Sequence, residues 1–351
     1  MKRKLLIFSA ILVSSIAGAQ TLLTEDGTSL TVGNVGTDLT GTTPGQGGWL
    51  TTVPVPTGAV TDFQVVNVGS TYGNTIQLTG SNAAAANTRR MFKDVSGIWA
   101  TRDTGNEVAQ VQFSYFTGPA TTSTNSMRVA LYDAGVTKFL AGIMIAMPTR
   151  ELRGLGYYNN GTTTGNFSFT LGGTETAPAA VILAENTWYT FGFSYNRTTG
   201  ELKFKSLEAL PITLGTRAGA AANDAIGSLN FVATAVSFST QTTNTVAATN
   251  QFDNLNFRAL ATDGPLLNVR NPITAADFDV YPNPTNDFVN VSTVGAIRSV
   301  TIADLNGRTV KQQEFDSVSE AQVSFSDLSS GLYLMTVNGD NASVTKKIMK
   351  Q

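Results

Sequence analysis

The chain has 351 residues, of which 42% are hydrophobic and only 14% are charged, and its formal net charge is −2. It contains neither histidine nor cysteine, which excludes disulfides, thiol catalysis, zinc–thiolate sites, the Ser-His-Asp triad and imidazole-bound zinc. A mildly acidic chain without a large basic cluster is also a poor candidate for binding nucleic acid. The length suits two domains, and the abundance of Gly, Thr, Ser and Asn favours a loop-rich, all-β protein.

The first 19 residues carry the three parts of a secretory signal peptide. Residues 2–4 are basic, residues 5–16 form an apolar stretch too short to cross a bilayer comfortably, and residues 17–19 are small. We predict cleavage before Gln20, with a retained anchor helix as the alternative. Loss of the three cations leaves 20 basic and 25 acidic residues, a net charge of −5 for the mature chain. No second long apolar run follows, so we predict no transmembrane segment in the mature chain.

Residues 20–260 contain many short runs in which every second residue is apolar, the pattern of half-buried strands. The clearest runs are VAQVQFSYF at 108–116, MRVALYD at 127–133, FSFTL at 167–171 and WYTFGFSY at 188–195. A Thr-Gly pair between the last run and LKF at 202–204 predicts a hairpin, and two Ala-rich stretches are too short for helices. The segment is therefore predicted to form one large jelly-roll sandwich, which we call the cargo domain.

The alternation then stops and resumes in a second, smaller unit. Residues 261–276 contain Gly264, Pro265 and Pro272 and predict a linker. Two prolines then flank an asparagine in YPNP at 281–284, which excludes a helix and places a strand start or edge there. Asn-Gly pairs at 306–307 and 338–339 predict hairpin turns. Residues 277–351 are thus predicted to form a small immunoglobulin-like β-sandwich of six or seven strands.

The landmarks of this second unit resemble a known family. YPNP, then DLNGR, LSSGLYLMTV and a terminal TKKIMK resemble, in that order, the type A C-terminal sorting domain of the type IX (Por) secretion system of Bacteroidota. The resemblance implies passage through the periplasm, recognition by an outer-membrane translocon and removal by a sortase-like protease. The cargo is then secreted or held on the outer surface of a Gram-negative cell. The implied sorting landmarks are Tyr281, Pro282, Asn283, Pro284, Asn306, Gly307, Gly331, Tyr333, Lys346 and Lys347.

These landmarks also have purely structural interpretations. The prolines and glycines form turns, the tyrosine is a strand residue, and terminal lysines protect a sheet edge from pairing with other chains. Both interpretations can hold together, and neither says what the cargo domain does.

In the cargo domain, the stretch ENTWYTFGFSYNRTTGELKFKS and the closing FDNLNF resemble concanavalin-like and laminin-G-like jelly rolls. This resemblance implies a fold more than a function. Trp188 and Tyr189 are interpreted as core residues in preference to ligand contacts.

No catalytic constellation is evident in the cargo domain. Retaining jelly-roll glycosidases need paired carboxylates facing one cleft, whereas Asp103 and Glu107 flank a predicted turn. A histidine-dependent lyase site is excluded by composition, but a Tyr/Arg/Lys variant stays open. We therefore expect a non-catalytic glycan- or matrix-binding domain; the alternatives are a polysaccharide-degrading enzyme and an adhesin or structural surface protein.

Two groups of residues are candidate binding sites. Aromatic platforms and amides bind sugars, which selects Trp49, Tyr157, Tyr158, Asn159 and Asn160, with ordinary packing as the alternative for each. A structural calcium ion is the second possibility, since Asp253 shares a face with apolar residues and the first strand carries two acids. Its candidate ligands are Glu25, Asp26 and Asp253; the alternative is an aspartate bound to a backbone N–H.

Overall fold

The computed structural model describes residues 18–53, 58–69, 72–83, 87–235, 244–267, 278–305, 307–339 and 343–351. The predicted signal peptide therefore lies almost wholly outside the described residues, as do Asn306 and the predicted linker from residue 268 onward.

The described part of residues 20–260 is built of 19 strands, many of them short. They are β1 Gln20–Glu25, β2 Gly33–Asn34, β3 Leu50–Thr52, β4 Phe63–Asn67, β5 Asn74–Thr79, β6 Arg89–Asp94, β7 Val108–Phe116, β8 Ser126–Asp133, β9 Phe139–Ala146, β10 Glu151–Asn159, β11 Thr164–Thr170, β12 Gly172–Gly173, β13 Pro178–Ala179, β14 Val181–Ile182, β15 Trp188–Asn196, β16 Leu202–Ser206, β17 Thr216–Arg217, β18 Ile226–Thr234 and β19 Thr249–Leu260. One short helix, α1 (Ser96–Ala100), and the 3-10 turns Gly27–Ser29, Gln46–Gly48 and Val60–Asp62 lie between strands.

These strands form two large antiparallel sheets. The first sheet has nine strands in the order β17-β16-β15-β7-β19-β5-β4-β2, with β1 also paired to β19. The second sheet has eight strands in the order β11-β10-β9-β8-β18-β6-β3, with β14 paired to β10. The small β12–β13 ribbon is separate. The large jelly-roll sandwich predicted from the sequence is therefore confirmed.

The core lies between the two sheets because alternate residues of each strand face the other sheet. In β7, Val111, Phe113 and Tyr115 are fully buried in the core cluster, as the period-2 pattern predicts. Their neighbours Gln110 and Gln112 point to the other side of the first sheet. The predicted hairpin between β15 and β16 is also present.

The predicted linker begins as part of the cargo domain. Residues 261–267, which we call the strap, lie on the outer face of the first sheet. Gln112 Nε2 donates to the Leu267 carbonyl (2.7 Å), and Lys205 pairs with Asp263 (2.5 Å). Leu266 is buried against Gly192. The linker prediction is therefore wrong for residues 261–267, because polar side chains on the outer face of β7 bind this irregular backbone.

Residues 278–351 form a separate five-stranded antiparallel sheet, in the order β20-β21-β23-β24 with β22 paired to β21. The strands are β20 Phe278–Tyr281, β21 Phe288–Ala303, β22 Thr309–Ser324, β23 Gly331–Gly339 and β24 Ser343–Lys350. The described strands number five instead of six or seven because β21 and β22 each continue for 16 residues through register shifts. Their buried residues form a second core that shares no member with the cargo core.

Within the described residues, no helix is long and apolar enough to cross a membrane.

Candidate functional site

Three arginines lie in one row across the outer face of the second sheet. Arg153 in β10 is opposite Met144 in β9, which is opposite Arg128 in β8. Arg128 is opposite Val232 in β18, and Val232 is opposite Arg90 in β6. We call Arg90, Arg128 and Arg153 the arginine row. An apolar residue on the intervening strand, Met144 or Val232, separates each arginine from the next.

The spacing of the arginine row follows from the sheet itself. Neighbouring strands are about 4.8 Å apart, so successive arginines, two strands apart, start about 10 Å from each other. The residues that precede and follow each arginine in its strand face the core, as Met127 and Val129 do beside Arg128. All three guanidinium groups therefore emerge on the same side of the sheet.

Arg90 is held in place by two neighbours. Its Nε donates to the buried Asn230 Oδ1, and its guanidinium carbon lies 3.9 Å from the centroid of the Phe92 ring. Burial lowers the pKa of Arg90 from its usual value. Among the described residues, no carboxylate pairs with Arg90. The adjacent Arg89 points the opposite way and pairs with Asp62 at 2.6 Å.

Tyr132 accompanies the arginine row on the same face. Burial raises the pKa of its hydroxyl, and the positive charges of Arg128 and Arg90 only partly offset this effect. Tyr132 therefore stays protonated at neutral pH and can serve as a hydrogen-bond donor. Burial also lowers the pKa of Arg128, although a guanidinium remains charged at neutral pH.

The row next to the arginines is made of small and apolar side chains. Leu155, Gly142 and Ala130 lie opposite one another on β10, β9 and β8, followed by Asn230 on β18. A side chain on Gly142 would overlap Ala130. Leu155 and Ala130 are 2% and 1% exposed, so this row forms a buried base beside the arginines.

The predicted aromatic residues divide between the core and this face. Trp49 is 1% exposed and packs edge-on against Phe231, so its prediction as a ligand contact is wrong. Tyr158 is also buried and packs edge-on against Phe169. Tyr157 is partly buried and lies on the same side of β10 as Arg153, because residues an even number of positions apart along a strand share a face.

The Tyr-Tyr-Asn-Asn stretch lies at the end of a strand and in the turn that follows it. Tyr157, Tyr158 and Asn159 end strand β10, which pairs with β11. Asn159 Oδ1 accepts from the Gly161 N–H (2.8 Å), and Asn160 Oδ1 accepts from the Thr163 N–H (2.9 Å). Both exposed asparagine side chains thus stabilise the hairpin turn. This structural role explains the two residues without a bound ligand.

Sequence reasoning missed the arginine row and misplaced one tryptophan. Each row member stands at a polar position of an alternating strand, but only the pairing of distant strands brings the three together. Trp188, interpreted as core, instead stacks on Tyr72 outside the core, with ring centroids 3.8 Å apart. Its partner across the strand, Phe116, is also only partly buried.

The three predicted calcium ligands do not converge on one centre. Glu25 pairs with the buried Lys93 ammonium, which also donates to the Gly47 carbonyl at 2.6 Å. Asp26 Oδ1 accepts from the Thr28 N–H (2.9 Å). Across the described ranges, no group of three or more acidic side chains is arranged to hold a metal ion. Lys93 supplies the positive charge beside Glu25 that the prediction assigned to calcium.

Asp253 has the backbone partner that was the alternative interpretation. Its Oδ1 accepts from the Gly27 N–H at 3.0 Å, while Oδ2 is buried without a hydrogen-bond partner. Burial raises the pKa of this carboxyl to about 7, against the hydrogen bond from Gly27.

In the C-terminal domain, YPNP is joined to the last strand. Asn283 Nδ2 donates to the Lys347 carbonyl (2.9 Å), and Asn283 Oδ1 accepts from the Met349 N–H (3.0 Å). Thr285 continues this contact by donating its N–H to the Met349 carbonyl (2.8 Å). Because the flanking prolines have no N–H, the asparagine amide supplies the hydrogen bonds at this point.

The other landmarks lie at turns, in the core or at an edge. Gly307 has a positive φ of 81° in the turn between β21 and β22, which favours glycine. Tyr333 is buried and donates its hydroxyl to the Ser329 carbonyl at 2.9 Å. Lys346 and Lys347 are in β24, the strand at the end of the sheet order.

The fold is all-β, with a large β-sandwich and a C-terminal sheet that has its own core. Residues 279–351 match the family of the secretion system C-terminal sorting domain. The resemblance of the C-terminal unit to this family, found in the sequence, is therefore confirmed. It indicates export to the cell surface or beyond.

Three solved structures are distantly similar to part of this chain. No curated protein sequence matches the chain. The Bacillus licheniformis β-glucanase structure is similar over 69% of this chain and 99% of its own, with 10% identity and a TM-score of 0.38. The CBM2 module of the evolved Dit of Lactobacillus casei BL23 phage J-1 is similar over 70% of this chain and 98% of its own, with 12% identity and a TM-score of 0.37. The cellulose induced protein Cip1 is similar over 67% of this chain and 96% of its own, with 12% identity and a TM-score of 0.37.

Proposed function

We propose that the protein is delivered by the type IX outer-membrane translocon, and that its cargo domain is a non-catalytic glycan-binding module. In this proposal a sortase-like protease removes the sorting domain after transport. The cargo is then secreted or held at the outer surface of a Gram-negative bacterium. The match of residues 279–351 to the sorting-domain family supports the route.

The outer face of the second sheet is the proposed binding surface. The single observation that carries this assignment is the alignment of three arginines in one cross-strand row, with Tyr157 on the same side of the sheet. Guanidinium groups and partly exposed rings provide the hydrogen bonds and flat apolar contacts that hold sugars.

Tyr132 bears on the choice between binding and catalysis. A lyase that lacks histidine needs another group to take a proton from the sugar, and Tyr132 has a buried hydroxyl near Arg128 and Arg90, whereas Glu151 is paired with Arg153. Because burial raises its pKa, Tyr132 is a poor base at neutral pH. The geometry therefore favours binding without turnover over the enzyme alternative.

The adjacent tyrosines of β10 provide a matched test. Tyr157→Ala should weaken retention on polysaccharide several-fold, since one partly exposed aromatic contact is worth roughly 1 kcal/mol, and should lower the melting temperature less than Tyr158→Ala does. Tyr158→Ala should lower the melting temperature, because it removes a buried ring. Affinity electrophoresis in polysaccharide gels and thermal melts measure the two effects.

The same samples separate the alternatives. Prolonged incubation with the retained polysaccharide should release neither reducing ends nor unsaturated products. Steady accumulation of either product would establish the enzyme alternative. Retention on no polysaccharide at all, with binding to a protein surface instead, would establish the adhesin alternative.

A further inference from the structure

The charges on the proposed binding face define which glycans it accepts. All three members of the arginine row are cations. Arg153 pairs with Glu151 at 2.9 Å, whereas no carboxylate among the described residues pairs with Arg90. By contrast, the cations of β6 that face the other way are both paired, Arg89 with Asp62 and Lys93 with Glu25.

Arg90 is the most informative member of the row. Its Nε is occupied by Asn230, and one face of its guanidinium lies on Phe92. The two terminal nitrogens form a planar fork whose direction is fixed by these contacts, and such a fork matches the two oxygens of a carboxylate or sulfate. A half-buried guanidinium without a carboxylate partner is a site prepared for an anion.

The repeat of the row adds a second requirement. Cations that start about 10 Å apart across the sheet match a polymer with charges at about the spacing of a disaccharide repeat. A short anion would use only one arginine. A chain lying across the strands would use all three.

We propose that the arginine row binds an anionic polysaccharide, with one carboxylate or sulfate held by the Arg90 fork and further acidic groups by Arg128 and Arg153. This inference rests on the proposed glycan-binding function and specifies its ligand. It places the polymer perpendicular to β6, β8 and β10.

The test measures binding of the purified full chain to polymers that differ in charge. The acidic probes are polygalacturonate, alginate and dextran sulfate, and the neutral probes are dextran and amylose. We expect retention by at least one acidic polymer, weakened by raised ionic strength because salt screens the charges. The carboxylated and sulfated probes reveal which acidic group is preferred.

Variants localise the binding. Arg90→Gln should weaken binding about tenfold or more, as expected for loss of a charge-assisted hydrogen bond. Arg90→Lys keeps the charge but lacks the planar fork, so it should weaken polysaccharide binding less than Arg90→Gln does. Arg197→Gln is the control, since it removes the same charge from the β15–β16 turn of the other sheet. Thermal melts confirm that each variant is folded; if Arg90→Gln unfolds, Arg90→Lys and the salt dependence decide.

The outcomes separate this inference from the proposed function. Equal retention on neutral and acidic polymers, unaffected by Arg90→Gln, would overturn the anionic assignment and leave glycan binding intact. Retention on no polysaccharide would overturn both. Equally tight binding of duplex DNA, with the same sensitivity to Arg90→Gln, would identify a general anion-binding surface and also overturn the assignment.

Discussion

At the scale of single residues, Asp253 shows how one irregularity in a strand creates an unusual carboxyl group. The pairing of β19 with β7 shifts register between Asp253 and Asn256, and Asn254 has a positive φ of 51°. The bulge turns the aspartate toward Gly27, where only one carboxyl oxygen finds a donor. Removal from water then favours the protonated form, and the pKa rises to about 7.

The pKa of Asp253 predicts a fall in stability with rising pH. Between about pH 4 and pH 7 the folded state binds this proton more tightly than the unfolded state, so the free energy of unfolding decreases as pH rises through that window. The chain has no histidine, which leaves this interval unusually free of other titrations. We expect the melting temperature to be at least about 5 °C lower at pH 8 than at pH 5.

Asp253→Asn is the matched variant, since an amide resembles the protonated carboxyl and does not titrate. Its melting temperature should be nearly constant from pH 5 to pH 8. A calcium ion bound to Asp253 would hold the carboxyl ionised. A melt of the original protein that is flat over this range in calcium and drops in chelator would therefore contradict our assignment and restore the calcium prediction.

How far single residues could be predicted depended on whether their partners were local. The buried state of Asp253 followed from the alternation of FDNLNF. The burial of Trp49 did not, because Phe231 and Lys93 are brought to it by other strands. Trp188 was assigned to the core from its strand alone, although its position places it beside Tyr72 on the outer face of the first sheet.

At the scale of elements, the strap shows that a segment without alternation can still be part of a fold. It covers the polar outer side of β7, where its main chain takes hydrogen bonds from Gln110, Gln112 and the neighbouring Arg258. Its buried apolar side chain, Leu266, lies against Gly192, where a Cβ would come within 2.2 Å of Leu266 Cδ2. Processing after Leu267 would leave the strap on the cargo domain.

We predict that Leu266→Ala destabilises the cargo domain by about 2 kcal/mol, the lower range for losing a buried leucine side chain, and lowers its melting temperature by several degrees. Gly192→Ala should have a similar effect because the added methyl group would displace Leu266. Ile182→Ala is the control, since that side chain is 52% exposed. Equal melting temperatures for all three variants and the original would show that the strap does not hold the domain.

Strand positions were predictable because their signal is periodic and local, whereas strand pairing was not. The runs that became β7, β8, β11 and β15 were visible in the sequence. The arginine row required the order β10-β9-β8-β18-β6, in which β18 and β6 come from distant parts of the chain. No local pattern fixes that register, so the candidate surface emerged only from the sheet.

At the scale of the whole molecule, the chain has two separate hydrophobic cores, one in the cargo sandwich and one in the C-terminal sheet. The cargo cluster ends at Ala259, and the sorting-domain cluster begins at Val289, with no residue in common. The sorting domain closes on its own C-terminus through Asn283, whose side chain bonds the main chain of β24 at two points. We therefore expect each unit to fold by itself.

This separation predicts that deleting residues 278–351 leaves the cargo domain folded but retained in the periplasm. The strap and both large sheets remain in the truncated chain, so its melting temperature and polysaccharide binding should match those of the full chain. Fractionation of cells that carry a type IX system should show the truncated chain inside the outer membrane and the full chain at the surface or in the medium. As a reciprocal control, residues 278–351 fused to a passenger that is otherwise retained in the periplasm should carry it out. Normal release of the truncated chain would show that export does not depend on the sorting domain, whatever the cargo binds.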